Sequence, residues 1–288
     1  MAARRRRQAG VLGIAVCVAG GCVAGRVTAV DQIAGGTDAG DTGSEVYPDG
    51  AADALGDGAM GPSEDGPDGG PAPERCTNPV FVTSQPYGIF NNGGYFVFNN
   101  MWNAAAGPGP QTLYACSYHS WYVVSDQADD AGAVETYPNV QMNFNDVPLS
   151  SFAGITATFA ETSPRVGIYE EAFDVWLDGV AQPESIQVMV WVDVFNRTPL
   201  GSQVTTTTLA GRTYGVWKTS DGLQITLVST ETFTAGTVDL LGIFDWTMAQ
   251  GLVPHAATLG QIDFGVEIVS TGGASATYEF NDFSIDTH

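Results

Sequence analysis

Ile186-Gln187-Val188-Met189-Val190-Trp191-Val192-Asp193 alternates between two kinds of residue. Ile186, Val188, Val190 and Val192 make one set, and Gln187, Met189, Trp191 and Asp193 make the other. Successive side chains of a β-strand point to opposite faces. The stretch therefore reads as a strand with an aliphatic face toward a core and a second face of amide, thioether, indole and acid. Upstream, Ala172-Phe173-Asp174-Val175-Trp176-Leu177-Asp178 repeats the pattern, with Phe173, Val175 and Leu177 inward and Ala172, Asp174, Trp176 and Asp178 outward. Downstream, Ile262, Phe264, Val266 and Ile268 oppose Asp263, Gly265, Glu267 and Val269. An ordinary solvated face would carry Lys, Thr and Glu. Indoles among carboxylates suit a sugar, whose apolar ring face stacks on an aromatic while its hydroxyls bond to acids. The competing reading is a second buried layer whose polar groups are satisfied internally.

Further segments of the same period surround these three. They are Tyr95–Asn99, Ser120–Val124, Val140–Phe144, Ile155–Phe159, Leu223–Val228 and Ala276–Ile285, separated by Gly, Pro, Asn and Ser. Helical spacing occurs in one place, at Leu240, Ile243, Phe244, Met248 and Leu252, where Thr237 can cap the start and Gly251 the end. Residues 76–288 are thus predicted to be all-β, a β-sandwich or jelly roll with one short helix. Trp121, Trp217 and Trp246 are expected in the core. His119 and His255 stand apart from any triad-like partner and are read as structural.

The N-terminus has a different texture. Arg4 to Arg7 precede a short apolar run from Val11 to Ala19, and Ala19-Gly20-Gly21-Cys22 follows. The run is too short for a stable membrane anchor, so residues 1–22 read as an export signal. It is either of the lipoprotein kind, with Cys22 lipidated and the chain held at a bacterial envelope facing the exterior or periplasm, or it releases a secreted protein. Residues 23–75 read as a disordered acidic linker rich in Gly, Asp and Pro. Eleven acids lie between Asp31 and Glu74, with Tyr47 as the aromatic, and no EF-hand-like spacing joins them. A net charge of -22 excludes nucleic acid and anionic lipid surfaces as partners. Cys76 and Cys116 have no His or Cys at metal-ligand spacing, so neither a metal nor a cofactor is expected. In an exported protein they form a disulfide; two unpaired buried thiols are the alternative. Asn196-Arg197-Thr198 fits a glycosylation sequon, but the signal is bacterial and no glycan is expected there. Nothing in the sequence demands an oligomer, so a monomer is expected.

Five segments, taken in order, resemble glycoside hydrolase family 12, the endo-β-1,4-glucanases and xyloglucanases. Gly94-Tyr95-Phe96-Val97-Phe98-Asn99-Asn100-Met101-Trp102 is similar to that family's aromatic strand ending in Asn-Asn-Leu-Trp-Gly. Tyr137-Pro138-Asn139-Val140 is similar to its Ser-Tyr-Pro-Asn segment, and Ala172 to Asp178 to its Ala-Tyr-Asp-Ile-Trp-Leu-Asp. Gln187-Val188-Met189-Val190-Trp191 resembles Glu-Ile-Met-Ile-Trp. Gly265-Val266-Glu267-Ile268, followed by Gly272-Gly273, resembles Gly-Phe-Glu-Ile. The resemblance covers nearly all of residues 76–288. It implies a two-sheet β-jelly-roll sandwich with a concave cleft for a β-1,4-linked polysaccharide and an endo-acting, retaining reaction. Glu267 would match the acid/base and Asp174 the carboxylate that supports the nucleophile. Asn99, Trp102, Tyr137, Trp176, Met189 and Trp191 would contact substrate.

The sequence departs from the pattern at two places. Asn103 replaces the glycine after Trp102. More consequentially, Gln187 stands where the family has its catalytic Glu. A retaining glycosidase needs two carboxyl groups about 5–5.5 Å apart, one to protonate the leaving oxygen and one to attack the anomeric carbon. An amide is a poor nucleophile and brings no charge to the oxocarbenium-like transition state. Yet Gln is nearly isosteric with Glu, so the cleft should keep its sugar contacts. Among other acids, Glu184 falls on the wrong face by parity. Asp193 shares the face of Gln187 but lies six residues along, roughly 20 Å away. Asp174 is the better substitute, as the base of an inverting pair with Glu267 about 6.5–9.5 Å apart. The expectation is a binder of cellulose or xyloglucan with weak or lost hydrolysis. The alternatives are an active endo-β-1,4-glucanase using Asp174, or a structural envelope lipoprotein with a vestigial cleft.

Overall fold

A computed structural model of the chain describes residues 75–103 and 106–288, together with the backbone of two short strands, β1 (Ile14–Val18) and β2 (Gly21–Gly25), which pair antiparallel. The rest of the expected export signal (1–22) and of the acidic linker (23–75) lies outside the described residues, apart from Arg75.

Two sheets carry the remaining strands. The larger contains β4 (Ile89–Asn92), β5 (Tyr95–Phe98), β8 (Asn139–Pro148), β10 (Ile168–Leu177), β11 (Ile186–Phe195), β12 (Ser202–Leu209), β13 (Arg212–Lys218), β14 (Gln224–Ser229) and β16 (Thr258–Ser270), nine strands ordered β12-β13-β14-β11-β10-β16-β8-β5-β4. The smaller has six, ordered β15-β9-β17-β7-β6-β3: β3 (Phe81–Thr83), β6 (Gln111–Ala115), β7 (Trp121–Ser125), β9 (Ile155–Thr162), β15 (Ala235–Asp239) and β17 (Ala276–Thr287). Together they form the expected two-sheet β-jelly-roll sandwich.

The aliphatic and aromatic sets identified by alternation face the space between the sheets. Phe173, Val175, Leu177, Val188, Val190, Ile262, Phe264, Val266 and Ile268 are fully buried there. Aromatic rings join the two layers: Phe159 of β9 lies 4.8 Å from Phe264 of β16, and Phe264 stacks on Phe283 of β17 at 5.8 Å. Trp121 stacks on Phe280 at 4.0 Å, as a core residue should. Each such buried ring contributes roughly 2–3 kcal/mol by removal of apolar surface from water. A disulfide joins Cys76 to Cys116 and ties the start of the domain to the six-stranded sheet.

Three expectations are corrected. The helix α1 (Leu240–Ala249) is capped by Asp239, whose carboxylate accepts from the Gly242 backbone N–H at 2.9 Å, and not by Thr237. Thr237 belongs to β15, where its hydroxyl meets that of Thr158. Gly251, at φ +68°, closes the helix in the left-handed conformation that glycine adopts without strain. Trp217 is only half-buried: its neighbour Val216 takes the core side, so the indole turns to the other face of the larger sheet. Trp246 packs against the edge of the core without being fully buried.

Candidate functional site

The face of the larger sheet that looks away from the core is built in rows. Register places Gln224, Gln187, Trp176, Gln261 and Asn143 side by side across β14, β11, β10, β16 and β8. The next row contains Trp217, Thr226, Met189, Asp174, Asp263 and Gln141. Further along, Glu170 and Glu267 are cross-strand partners on β10 and β16. From the row of Trp176 to that of Glu170 is six residues along one strand, roughly 20 Å if the strand were flat. A single cleft of about 720 Å³ is nonetheless lined by Gln187, Trp176, Asp174, Asp263 and Glu267 together, with Trp102 and Tyr137. The curvature of the sheet turns its rows toward one trough.

Asp174 stands at the centre of this arrangement. Its side chain is buried, and Oδ2 accepts a hydrogen bond of 2.8 Å from the Gln187 amide, while Oδ1 has no partner. Burial, and next the negative charge of Glu267, push its pKa up to about 8 against the smaller downward pull of the amide. Below that pH Asp174 carries a proton. Asp263, beside it in the row, is raised well above the usual carboxylate range, again by burial and then by Asp174. With its amide turned to satisfy its neighbours, Gln261 donates to Asp263 at 3.1 Å and accepts from the Gln141 amide at 3.1 Å. Tyr137 lies over Ala172, whose carbonyl its hydroxyl approaches at 3.5 Å. Burial and the surrounding acids, Asp174, Asp263, Glu267 and Glu170, drive the phenol far above its ordinary value. Glu170 is completely buried and rests on Arg197, whose Nε lies 3.0 Å from its carboxylate. Burial and the adjoining Glu267 raise Glu170 well above its normal pKa despite that arginine.

Residues 93–288 match the model of glycosyl hydrolase family 12. The chain belongs to that family. Similar curated proteins include endoglucanase A of Aspergillus kawachii, 23% identical over 202 residues that cover 64% of this chain and 84% of the relative. Another is the xyloglucan-specific endo-beta-1,4-glucanase A of Emericella nidulans, 21% identical, covering 67% of this chain and 85% of the relative. Among solved structures, the xyloglucanase domain of NopAA, a type three effector from Sinorhizobium fredii in complex with cellobiose, superposes with a TM-score of 0.64 at 28% identity, over 73% of this chain and 100% of that one. The family 12 xyloglucanase of Bacillus licheniformis reaches a TM-score of 0.65 at 19% identity, over 73% of this chain and 100% of its own, which shows the shared fold.

Within the family 12 domain, the structure brings together Gln187, Asp174, Glu267, Trp102, Tyr137 and Trp176 on the cleft lining. It does not bring Asn99, Met189 and Trp191 to that surface. Asn99 is fully buried, donating to the Gln85 carbonyl at 2.9 Å and accepting from Gln111 at 3.1 Å. Its neighbour Asn100, at φ 39°, lines the cleft instead. Met189 and Trp191 are 1% and 2% exposed and form a second small buried cluster with Ala172. Part of the outward face is therefore the internally satisfied layer that parity left open. Asn103, the departure after Trp102, is buried and donates to the Val134 carbonyl at 2.7 Å, which fastens the loop.

Asp193 is corrected outright. The β10–β11 register shifts between Glu171 and Ala172, so Asp193 pairs with Glu171 while Trp191 pairs with Ala172. This bulge carries Asp193 off the cleft and beside Glu161 and Glu171. Glu184 lies exposed in the turn before β11. Sequence reasoning also passed over Asp263 and Glu170 as site members. Both share the parity of Glu267 and Asp174, and that was the available signal.

Proposed function

We propose that this chain is an exported family 12 protein that holds a β-1,4-glucan, cellulose or xyloglucan, in its cleft and hydrolyses it weakly or not at all. The observation that carries this reading is the neutral amide of Gln187, hydrogen-bonded to Asp174 in a cleft that still presents Glu267, Trp102 and Trp176. Gln187 occupies the nucleophile position, Glu267 that of the acid/base, and Asp174 supports position 187. With glutamate at 187, a protonated Asp174 would donate to the nucleophile. With glutamine the bond runs the other way, and position 187 offers no carboxylate to attack an anomeric carbon. Indole faces and buried amides can still hold a sugar chain. The cellobiose complex of the Sinorhizobium domain supports this choice of ligand class. Titration calorimetry with cello-oligosaccharides and xyloglucan fragments should give heat of binding, while reducing-sugar release from soluble cellulose stays near background. Absence of heat with every β-glucan would leave only a structural envelope role.

A second reading is an active endoglucanase in which Asp174 serves as base opposite Glu267. The presence of both acids on one cleft favours it; the proton that Asp174 holds below about pH 8 weighs against it at neutral pH. In either case the export signal and acidic linker would place the domain outside the cytoplasm as a monomer. It would be tethered through a lipid on Cys22 or freely secreted.

A further inference from the structure

A second group of acids lies on the opposite side of the larger sheet from the cleft. Glu161 is the penultimate residue of β9 in the small sheet, while Glu171 and Asp193 sit on β10 and β11 of the large one. One carboxylate oxygen of each lies within 4.8 Å of the others, and all three residues are buried. Their surroundings are unequal. Asp193 is fully served: Arg165, Ser163 (2.8 Å), the Tyr169 hydroxyl (3.2 Å) and Thr232 (3.1 Å) all donate to it. Glu161 is 5% exposed and Glu171 0%, yet all four of their carboxylate oxygens lack a hydrogen-bond donor. Buried carboxylate oxygens without donors need either a proton or a cation. Arg165 pairs with only one of the three acids. Burial raises both Glu161 and Glu171, which face each other, above the usual carboxylate range, Glu161 to about 7, so a cation is what would let them ionise together.

We propose that Glu161, Glu171 and Asp193 form a site for one divalent cation, of calcium's size and oxygen preference, that links the two sheets. Calcium takes oxygen ligands at about 2.3–2.6 Å, so oxygens around one ion lie at most about 5 Å apart, and the three carboxylates here stay within that limit. The absence of His and Cys from the group disfavours zinc, and three carboxylates with neighbouring hydroxyls are a hard-ion set. A divalent ion would balance both glutamates once ionised, and Arg165, half exposed and paired with Asp193, lies on the side nearest solvent. Because β9 belongs to one sheet and β10 and β11 to the other, the ion would act as a staple across the sandwich. The competing occupant is a proton shared between Glu161 and Glu171. This inference is independent of glucan binding.

The test uses the full chain, freed of metal with EDTA and then titrated with calcium chloride, with magnesium in parallel. Calcium should raise Tm by about 5–10 °C and bind with one high-affinity site per chain. Glu161→Gln and Glu171→Gln should each abolish both effects, which separates this site from weak binding by the acidic linker. Should those variants not fold, terbium luminescence on the wild type decides. Emission sensitised by Tyr169, competed away by calcium and lost in Tyr169→Phe, supports the site, and its absence overturns it. A Tm indifferent to calcium and chelator, falling as pH rises from about 4.5 to about 7, would assign the group to a shared proton. Retention of the calcium response in Glu171→Gln would place the ion elsewhere. Either result overturns the proposal.

Discussion

Exchanging a carboxylate for an amide at position 187 changes charge with almost no change of shape. Gln187→Glu should therefore restore a nucleophile into a cleft already built around it, with Asp174 as a ready proton donor. Reducing-sugar release from soluble β-glucan is expected to rise at least about a thousandfold. A variant that binds cello-oligosaccharides yet stays inactive would show that the reactive geometry has decayed elsewhere. The residue scale also sets a pH signature. Asp174 is protonated in the fold up to about pH 8, and only its ionised form can act as a base. Any basal turnover routed through it must climb as pH passes about 8 and vanish in Asp174→Asn. A flat profile across that range excludes Asp174 as the base. The same raised value bears on stability. The protonated carboxyl is favoured by folding, so its contribution is complete below the unfolded value near 3.8 and is lost as pH rises toward 8.

At the scale of single elements, alternation located most of the long strands that bury a hydrophobic face, and it passed over β6 and β13, which bury Leu113 and Val216, as well as β12. β12 reads Ser-Gln-Val-Thr-Thr-Thr-Thr-Leu and is largely exposed at the edge of its sheet, so no apolar period announces it. The helix shows a similar division. Its apolar spacing was legible, but the cap was not, because Thr237 and Asp239 both have suitable side chains. The strand pairing of β15 with β9 decided between them. Asp239→Ala should cost about 1 kcal/mol of stability, read from chemical denaturation, whereas Thr237→Ala at the strand edge should cost less. Equal losses would contradict the assigned cap.

For the molecule as a whole, the disulfide spans a sequence separation of 40 residues, and closing such a loop restricts the unfolded chain by about 4 kcal/mol in the chain-entropy picture. Cys116→Ser, or treatment with a reductant, is expected to lower unfolding free energy by about that amount and leave glucan binding intact. A loss well under 1 kcal/mol would mean the unfolded chain is already compact around these cysteines. The proposed envelope tether has its own test. Wild-type protein expressed in a bacterium with lipoprotein processing should partition into detergent, and Cys22→Ala into the aqueous phase. Aqueous partition of both would favour free secretion.

The sequence by itself determined the sandwich and the aliphatic side of its central strands. Period-two alternation is a local property, and burying one face of each strand leaves few ways to stack them. It also determined that acids, amides and indoles share the remaining face, and the family motifs assigned that face a cleft. Only the tertiary structure decided which of those residues meet a ligand. Met189 and Trp191 have the same parity as Gln187, yet Ala172 and Val228 of the flanking strands and Val194 of their own pack around them. Asp193 likewise obeys the alternation in sequence, but one bulge beside Glu171 reverses its face. A strand's period is written in its own residues, whereas a register shift is set by the strand it pairs with.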